Sequence, residues 1–102
     1  MLLNKMRPIH PGEILREEFL LPLGMSANAL SLELHVPGPR INEIVRERRA
    51  VTPDTSLRLG RYFGTSPQFW LNLQTAYDLK RAEAELGMKI ASEVRQRGTV
   101  AA

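Results

Sequence analysis

The 102 residues of this chain have room for one compact domain, and 43% hydrophobic with 25% charged residues is the composition of an ordinary globular protein. The absence of cysteine excludes disulfides and thiolate catalysis, and the wide separation of His10 and His35 argues against a metal site. The net charge of +3 is concentrated in residues 35–61, where six arginines accompany three acidic residues, a distribution that can bind a polyanion but more often marks a solvated surface.

Prolines and glycines divide the chain into helical segments, and no strand-like alternation is present. The first helix is predicted to begin at Pro11 and to end at Pro22, because proline suits a first turn and interrupts a helix interior. Ser26 is predicted to cap a second helix that ends near His35. His35 stands where the turn would often need a left-handed backbone, and we expect it instead to be partly buried and to bond a helix end.

A third helix is predicted to open with Pro37, Gly38 and Pro39, about three residues after the second helix ends. Two short helices joined in this way form a helix-turn-helix, and the small Ser31 suits a close crossing of the two. The pair is predicted to bury one apolar side, which consists of Ala27, Leu30, Leu34, Val36, Ile41 and Ile44.

Two further helices have clear start signals. The Thr-Pro-Asp run at 52–54 predicts the fourth helix, which Gly64 ends. The Ser-Pro pair at 66–67 predicts the fifth and longest helix, which runs from Gln68 to about Leu86.

Beyond Gly87 a separate short amphipathic helix, Met88 to Arg97, is predicted, followed by an end that frays. The chain is therefore predicted to form one all-α domain over residues 1–102, with a core at about 7–86 and a C-terminal helical extension at 87–102.

The outward side of the third helix carries residues suited to reading DNA. Asn42 can bond adenine bidentately, Glu43 can accept from cytosine, and Arg46 can read guanine or hold a phosphate. The predicted DNA contacts are Ser26, Gly38, Pro39, Arg40, Asn42, Glu43, Arg46, Arg48 and Arg49. The alternative is structural, because paired short helices are common in α-proteins and arginines near a helix C-terminus complement its dipole.

Two runs of sequence resemble the HigA antitoxins, a branch of the xenobiotic-response-element helix-turn-helix superfamily. They are HPGEILREEFLLPLGMS at 10–26 and VTPDTSLRLGRYFGTSPQFWLNLQTAYDL at 51–79, within which FWLNLQ is more specific than the helix-turn-helix spacing. The resemblance spans roughly residues 7–82. It implies a five-helix lambda-repressor-like domain, a homodimer, a palindromic operator in double-stranded DNA, and neutralisation of a HigB toxin, a RelE-like mRNA endonuclease. It also implies a recognition helix at Pro37 to Glu47, in which the Gly-Pro pair departs from the usual polar residues.

The longest helix carries an apolar stripe, in which Phe69 and Trp70 are predicted to belong to the core. Because the resemblance implies dimer contacts around this helix, we assign Leu73, Tyr77 and Leu79 to a dimer interface. The alternative is that the whole stripe packs only in the core.

An acidic edge on the first helix, Glu13, Glu17 and Glu18, is assigned to toxin binding, although such an edge is more often simply solvated. The same residues also permit a solitary transcriptional regulator without a toxin. The sequence holds no nucleophile-base pair, metal cluster or phosphate loop, so we expect no enzyme, no cofactor and no small-molecule substrate. It also holds no membrane-length apolar stretch and no signal-peptide layout, so we expect a cytoplasmic protein without membrane contacts.

Overall fold

A computed structural model describes residues 7–98 of the chain, which form five helices joined by short turns. The first helix, α1, consists of three consecutive stretches, α-helical Pro11–Ile14, π-helical Leu15–Leu20 and α-helical Leu21–Leu23. The others are α2 (Ala27–Leu34), α3 (Gly38–Val45), α4 (Pro53–Phe63) and α5 (Pro67–Glu93). Residues 7–98 contain no strand, so the predicted all-α, five-helix fold is confirmed.

The end of α1 differs from the prediction, because Pro22 lies inside the last helical stretch instead of ending the helix. A proline ring in a regular α-helix clashes with the carbonyl four residues earlier. Here the wider π-helical turn precedes it, and the Leu21 N–H donates to the carbonyl of Arg16, five residues back. The helix ends instead at Gly24, whose left-handed backbone (φ 61°) closes the last turn.

The predicted starts of α2, α4 and α5 are confirmed by their caps. The hydroxyl oxygens of Ser26 and Ser66 accept the backbone N–H groups of Ala29 and Phe69 at 3.0 and 3.1 Å. Thr52 does the same for α4, which ends at Gly64 as predicted. Each cap satisfies a donor that the first turn of a helix leaves without an intrahelical partner.

The long helix α5 continues through Gly87 to Glu93, so the predicted break at Gly87 and the separate helix after it are wrong. One interior glycine costs only about 1 kcal/mol of helix stability, which the turns on either side can offset. The last turns of α5 project from the domain, where Met88 is 90% exposed. The fraying predicted for the chain end concerns residues 99–102, which lie outside the described part.

The core lies where all five helices meet. Trp70 is fully buried at its centre, and its indole Nε1 donates to Thr65 Oγ1 at 2.8 Å. The buried hydrophobic residues are Leu15, Leu20, Leu30, Leu34, Ile41, Ile44, Val51, Leu59 and Trp70, and Ala27 and Val36 pack against them. The predicted inward side of α2 and α3 is therefore confirmed. The prediction for Phe69 is wrong, because its ring is 38% exposed and packs edge-on against Trp70.

A buried histidine begins α1. His10 Nδ1 accepts the backbone N–H of Gly12 at 2.8 Å, so the imidazole acts as the N-cap. The ring also packs edge-on against Tyr77 of α5, with the centroids 4.8 Å apart. Burial lowers the pKa of His10 below its ordinary value, which keeps the capping nitrogen unprotonated.

Candidate nucleic-acid interface

The connection between α2 and α3 is a tight turn built around His35. This residue has a left-handed backbone (φ 59°) and is exposed, so the expectation of a partly buried histidine that bonds a helix end is wrong. The backbone makes the bonds itself, since the N–H groups of His35 and Val36 donate to the carbonyls of Leu32 and Ser31 at 3.2 and 3.1 Å. This pair of hydrogen bonds ends α2 and begins the turn that leads to α3.

The two helices cross closely at Ser31, which is 1% exposed. Its hydroxyl donates to the carbonyl of Ala27 at 3.0 Å and lies 3.4 Å from the carbonyl of Gly38 in the first turn of α3. A larger side chain at this position would hold the helices apart. The small residue that the sequence singled out therefore lies at the crossing.

The helix α3 has one buried and one open side. Ile41 and Ile44 are fully buried, while Asn42 and Glu43 are half-buried and Arg46 is exposed on a shallow surface groove. Asn42 Nδ2 donates to the carbonyl of Gly38 one turn earlier at 3.0 Å. That bond orients the amide and leaves its oxygen open for a ligand.

Two of the predicted DNA-contacting arginines are engaged in ion pairs. Arg49 lies 2.7 Å from Glu43, and Arg40 lies 2.7 Å from Asp54 at the start of α4. Hydrogen bonds from Arg58, and to a smaller extent from Arg40, lower the pKa of the Asp54 carboxyl. The carboxyl therefore stays ionised at a lower pH than an ordinary aspartate. The side chains of these two ion pairs are 30–56% exposed. Pairs that are open to solvent contribute little to stability, so a phosphate can compete for either arginine.

Arg48 is exposed at the C-terminal end of α3, and no ion pair within residues 7–98 involves it or Arg46. Together with the open side of α3, they form a positively charged margin beside the groove. Ser26 lies at the start of α2, where it is exposed and its side-chain oxygen already caps the helix.

The C-terminal end of α3 is held by α1 through residues that the sequence did not single out. An Arg16 guanidinium N–H donates to the carbonyl of Val45, and a second Arg16 nitrogen lies 3.4 Å from the Glu47 carboxylate. Glu47 itself has a left-handed backbone (φ 63°) that ends the helix. One turn before Arg16, Gly12 lies against the carbonyl of Ile44 with no room for a side chain. The sequence pattern carried no signal for either contact, because both depend on how two helices cross.

The three residues assigned to a dimer interface lie in different surroundings on α5. Leu73 is half-buried against the core, and Tyr77 packs against His10 of the same protomer. Leu79 is 58% exposed. Of the three, only Leu79 is largely free to contact another molecule.

The acidic edge of α1 is partly neutralised within the protomer. The Glu13 carboxylate lies 2.8 Å from Arg7, whose hydrogen bonds lower the pKa of that carboxyl, and Glu17 lies 3.0 Å from Arg16. Glu18 is exposed and makes no ion pair with the described residues. The edge therefore carries less uncompensated negative charge than its sequence suggests.

Within residues 7–98, no helix is both long and apolar enough to cross a membrane. The same part of the chain contains no group of three acidic, histidine or cysteine side chains that could hold a metal ion.

Comparison with known proteins gives close matches. The helix-turn-helix family matches residues 15–70. Virulence-associated protein I of Dichelobacter nodosus is 66% identical over 82 residues, 80% of this chain and 76% of that protein. Antitoxin HigA-1 of Vibrio cholerae is 34% identical over 76 residues, 74% of this chain and 71% of that protein. The solved structure of the Pseudomonas aeruginosa antitoxin HigA with the higBA promoter is 52% identical, with a TM-score of 0.88 over 89% of this chain and 99% of that one.

Proposed function

We propose, since this chain belongs to the HigA-type antitoxins of the helix-turn-helix family, that it binds a palindromic operator in its own promoter as a homodimer and neutralises a HigB-type toxin in the cytoplasm. It does so by binding alone, without cofactor and without catalysis of its own. The observation that carries the proposal is the open side of α3, on which Asn42, Glu43 and Arg46 line a groove while the isoleucines of the same helix are buried.

The size and polarity of the open side of α3 support recognition of the operator by this helix. An α-helix fits the major groove of B-DNA, and asparagine, glutamate and arginine match the donor and acceptor patterns of base edges there. The arginines at the helix end reach the flanking phosphates, which gives affinity at every sequence. A homodimer doubles this arrangement, with the two recognition helices about 34 Å apart in successive major grooves.

The DNA-binding role is tested with Asn42→Ala and Arg48→Ala, which separate base reading from phosphate binding. Binding of the full chain to its promoter is measured by fluorescence anisotropy from about 50 to 300 mM salt, with random duplex as the comparison. We expect Asn42→Ala to cost about 1–3 kcal/mol on operator DNA and little on random DNA. Arg48→Ala is expected to weaken both and to reduce the salt slope by about one. Equal losses of Asn42→Ala on operator and random DNA would exclude a base-reading role.

The dimer is proposed to form along α5, around Leu73, Tyr77 and Leu79. The helix supports this because Leu79, Leu86 and Ile90 follow helical spacing and are 58%, 46% and 49% exposed. Such an apolar stripe on a projecting helix suits burial against a second copy. Sedimentation equilibrium tests it with Leu79→Glu, which should shift the chain to monomer without lowering its helix content. The matched control is Leu32→Glu, at an exposed leucine on α2, which should leave the dimer intact.

Neutralisation of a toxin is proposed from family membership, with the edge of Glu13, Glu17 and Glu18 as the docking surface for a basic RNA-cleaving partner. Co-expression with a small basic reading frame next to its gene tests it, scored by growth rescue and co-purification. Loss of co-purification by Glu18→Lys, with operator binding unchanged, would support the acidic edge. If no neighbouring frame is toxic or co-purifies, the chain is a solitary regulator.

A further inference from the structure

A notch lies where the first turn of α2 meets the first turn of α3. It is one end of the groove already described beside the outward side of α3, and that groove is lined by Asn28, Gly38, Pro39, Asn42, Glu43 and Arg46. Five of these six residues are among the predicted DNA contacts. Asn28 is the exception, since it belongs to α2 and its position in the sequence gave no sign that it reaches the recognition helix.

The notch exists because residue 38 is a glycine. A Cβ atom at this position would lie 2.9 Å from Asn28 Oδ1 and 3.9 Å from Asn42 Nδ2. Gly38 lies in a regular helical turn and is not among the residues with a left-handed backbone, so its conformation does not require glycine. What the glycine provides is space between two side-chain amides.

The two amides differ in how much of their hydrogen-bonding capacity is used. Asn42 gives one N–H to the carbonyl of Gly38. The exposed side chain of Asn28 makes no hydrogen bond with any described residue, so its donor and its acceptor are both available. Asparagine in a major groove pairs with adenine, donating to N7 and accepting from the exocyclic N6 amine.

We propose that Asn28 is a specificity-determining residue, and that the notch between Asn28 and Asn42 accepts the adenine edge of one A·T pair in each operator half-site. The inference rests on the proposed function, because it needs the open side of α3 to lie in the major groove. Gly38 acts as a positioning residue, since its missing side chain allows the Asn28 amide to stand over the base. The recognition surface therefore extends from α3 onto α2.

The experiment first selects preferred sequences for the wild-type full chain from a pool of random duplexes. Kd values are then measured on the preferred duplex and on all of its single-base variants, for wild type, Asn28→Ala, Gly38→Ala and the double variant. For wild type, one A·T pair per half-site should be preferred by roughly 5- to 150-fold. In Asn28→Ala that preference should fall below about 2-fold, while preferences at the other positions persist.

Gly38→Ala should lose the same preference, because its methyl group displaces the Asn28 amide, and the double variant should lose no more than either single variant. Glu33→Gln, an exposed change at the far end of α2, is the matched control and should keep the wild-type profile. Thermal unfolding should be the same within a few degrees for Asn28→Ala and Glu33→Gln, so that a change in profile reports contact with DNA.

Two results would overturn the inference while leaving the proposed function intact. A uniform loss of affinity in Asn28→Ala at every position would make Asn28 a phosphate contact. An unchanged profile in Gly38→Ala would show that the notch is not used. A wild-type chain that prefers no sequence in the pool would instead defeat the proposed function, and the inference with it.

Discussion

Replacing Gly12 with alanine tests the close approach of α1 to α3. A Cβ at Gly12 would lie 1.7 Å from the carbonyl oxygen and 2.7 Å from the carbonyl carbon of Ile44. Ordinary van der Waals contact begins near 3.4 Å, so the two helices must separate by more than 1 Å. Overpacking costs about 1–3 kcal/mol. Because the obstacle here is backbone and not a flexible side chain, we expect a loss of about 3 kcal/mol, or roughly 10–20 °C in Tm.

The matched control for Gly12→Ala is Gly87→Ala in the projecting part of α5, where a Cβ would meet nothing within 4 Å. This variant should gain about 0.5–1 kcal/mol, because alanine is the better helix former. Both variants are followed by circular dichroism during thermal and urea unfolding at one fixed protein concentration, since dimerisation makes Tm depend on concentration. A Gly12→Ala variant with the wild-type Tm would refute the close approach of α1 and α3.

Three further predictions follow from single contacts. Burial lowers the pKa of His10, so at low pH the unfolded chain binds a proton that the folded chain does not. The free energy of unfolding should therefore fall as pH drops below about 6.5. His10→Asn keeps a capping oxygen and should flatten this pH dependence in urea titrations between pH 5 and 8. His35→Gly should raise the free energy of unfolding by about 0.5–1 kcal/mol, because glycine adopts the left-handed backbone at φ 59° without strain; a lower urea midpoint would count against it. Gln74→Leu removes the acceptor 2.7 Å from the buried Val51 N–H and should cost about 1–3 kcal/mol, whereas Gln68→Leu on the exposed side of α5 should cost under about 0.5 kcal/mol.

The helix starts were predictable because their signals are local. A capping hydroxyl followed by proline at 52–53 and 66–67 acts within one turn, and the structure begins α4 and α5 at those prolines. The errors occur where local signals conflict with longer-range context. Pro22 and Gly87 are helix breakers by propensity, yet a π-helical turn accommodates the first and a 27-residue helix carries the second.

The positions of charged side chains were less predictable than the helices. In the sequence, Asp54 belongs only to the start signal of the fourth helix, whereas the structure pairs it with Arg40 of α3. Long side chains reach partners on other helices, and sequence spacing describes neighbours on one helix only.

The sequence by itself determined where α2, α4 and α5 begin, which side of α2 and α3 is apolar, and which residue types stand on the open side of α3. These properties depend on the helical period and on capping, both of which act over a few residues. The tertiary structure alone decided that Gly12 meets Ile44 and that Asn28 stands beside Gly38 and Asn42. Such contacts depend on the angle and distance at which two helices cross, and that geometry results from the packing of the whole core.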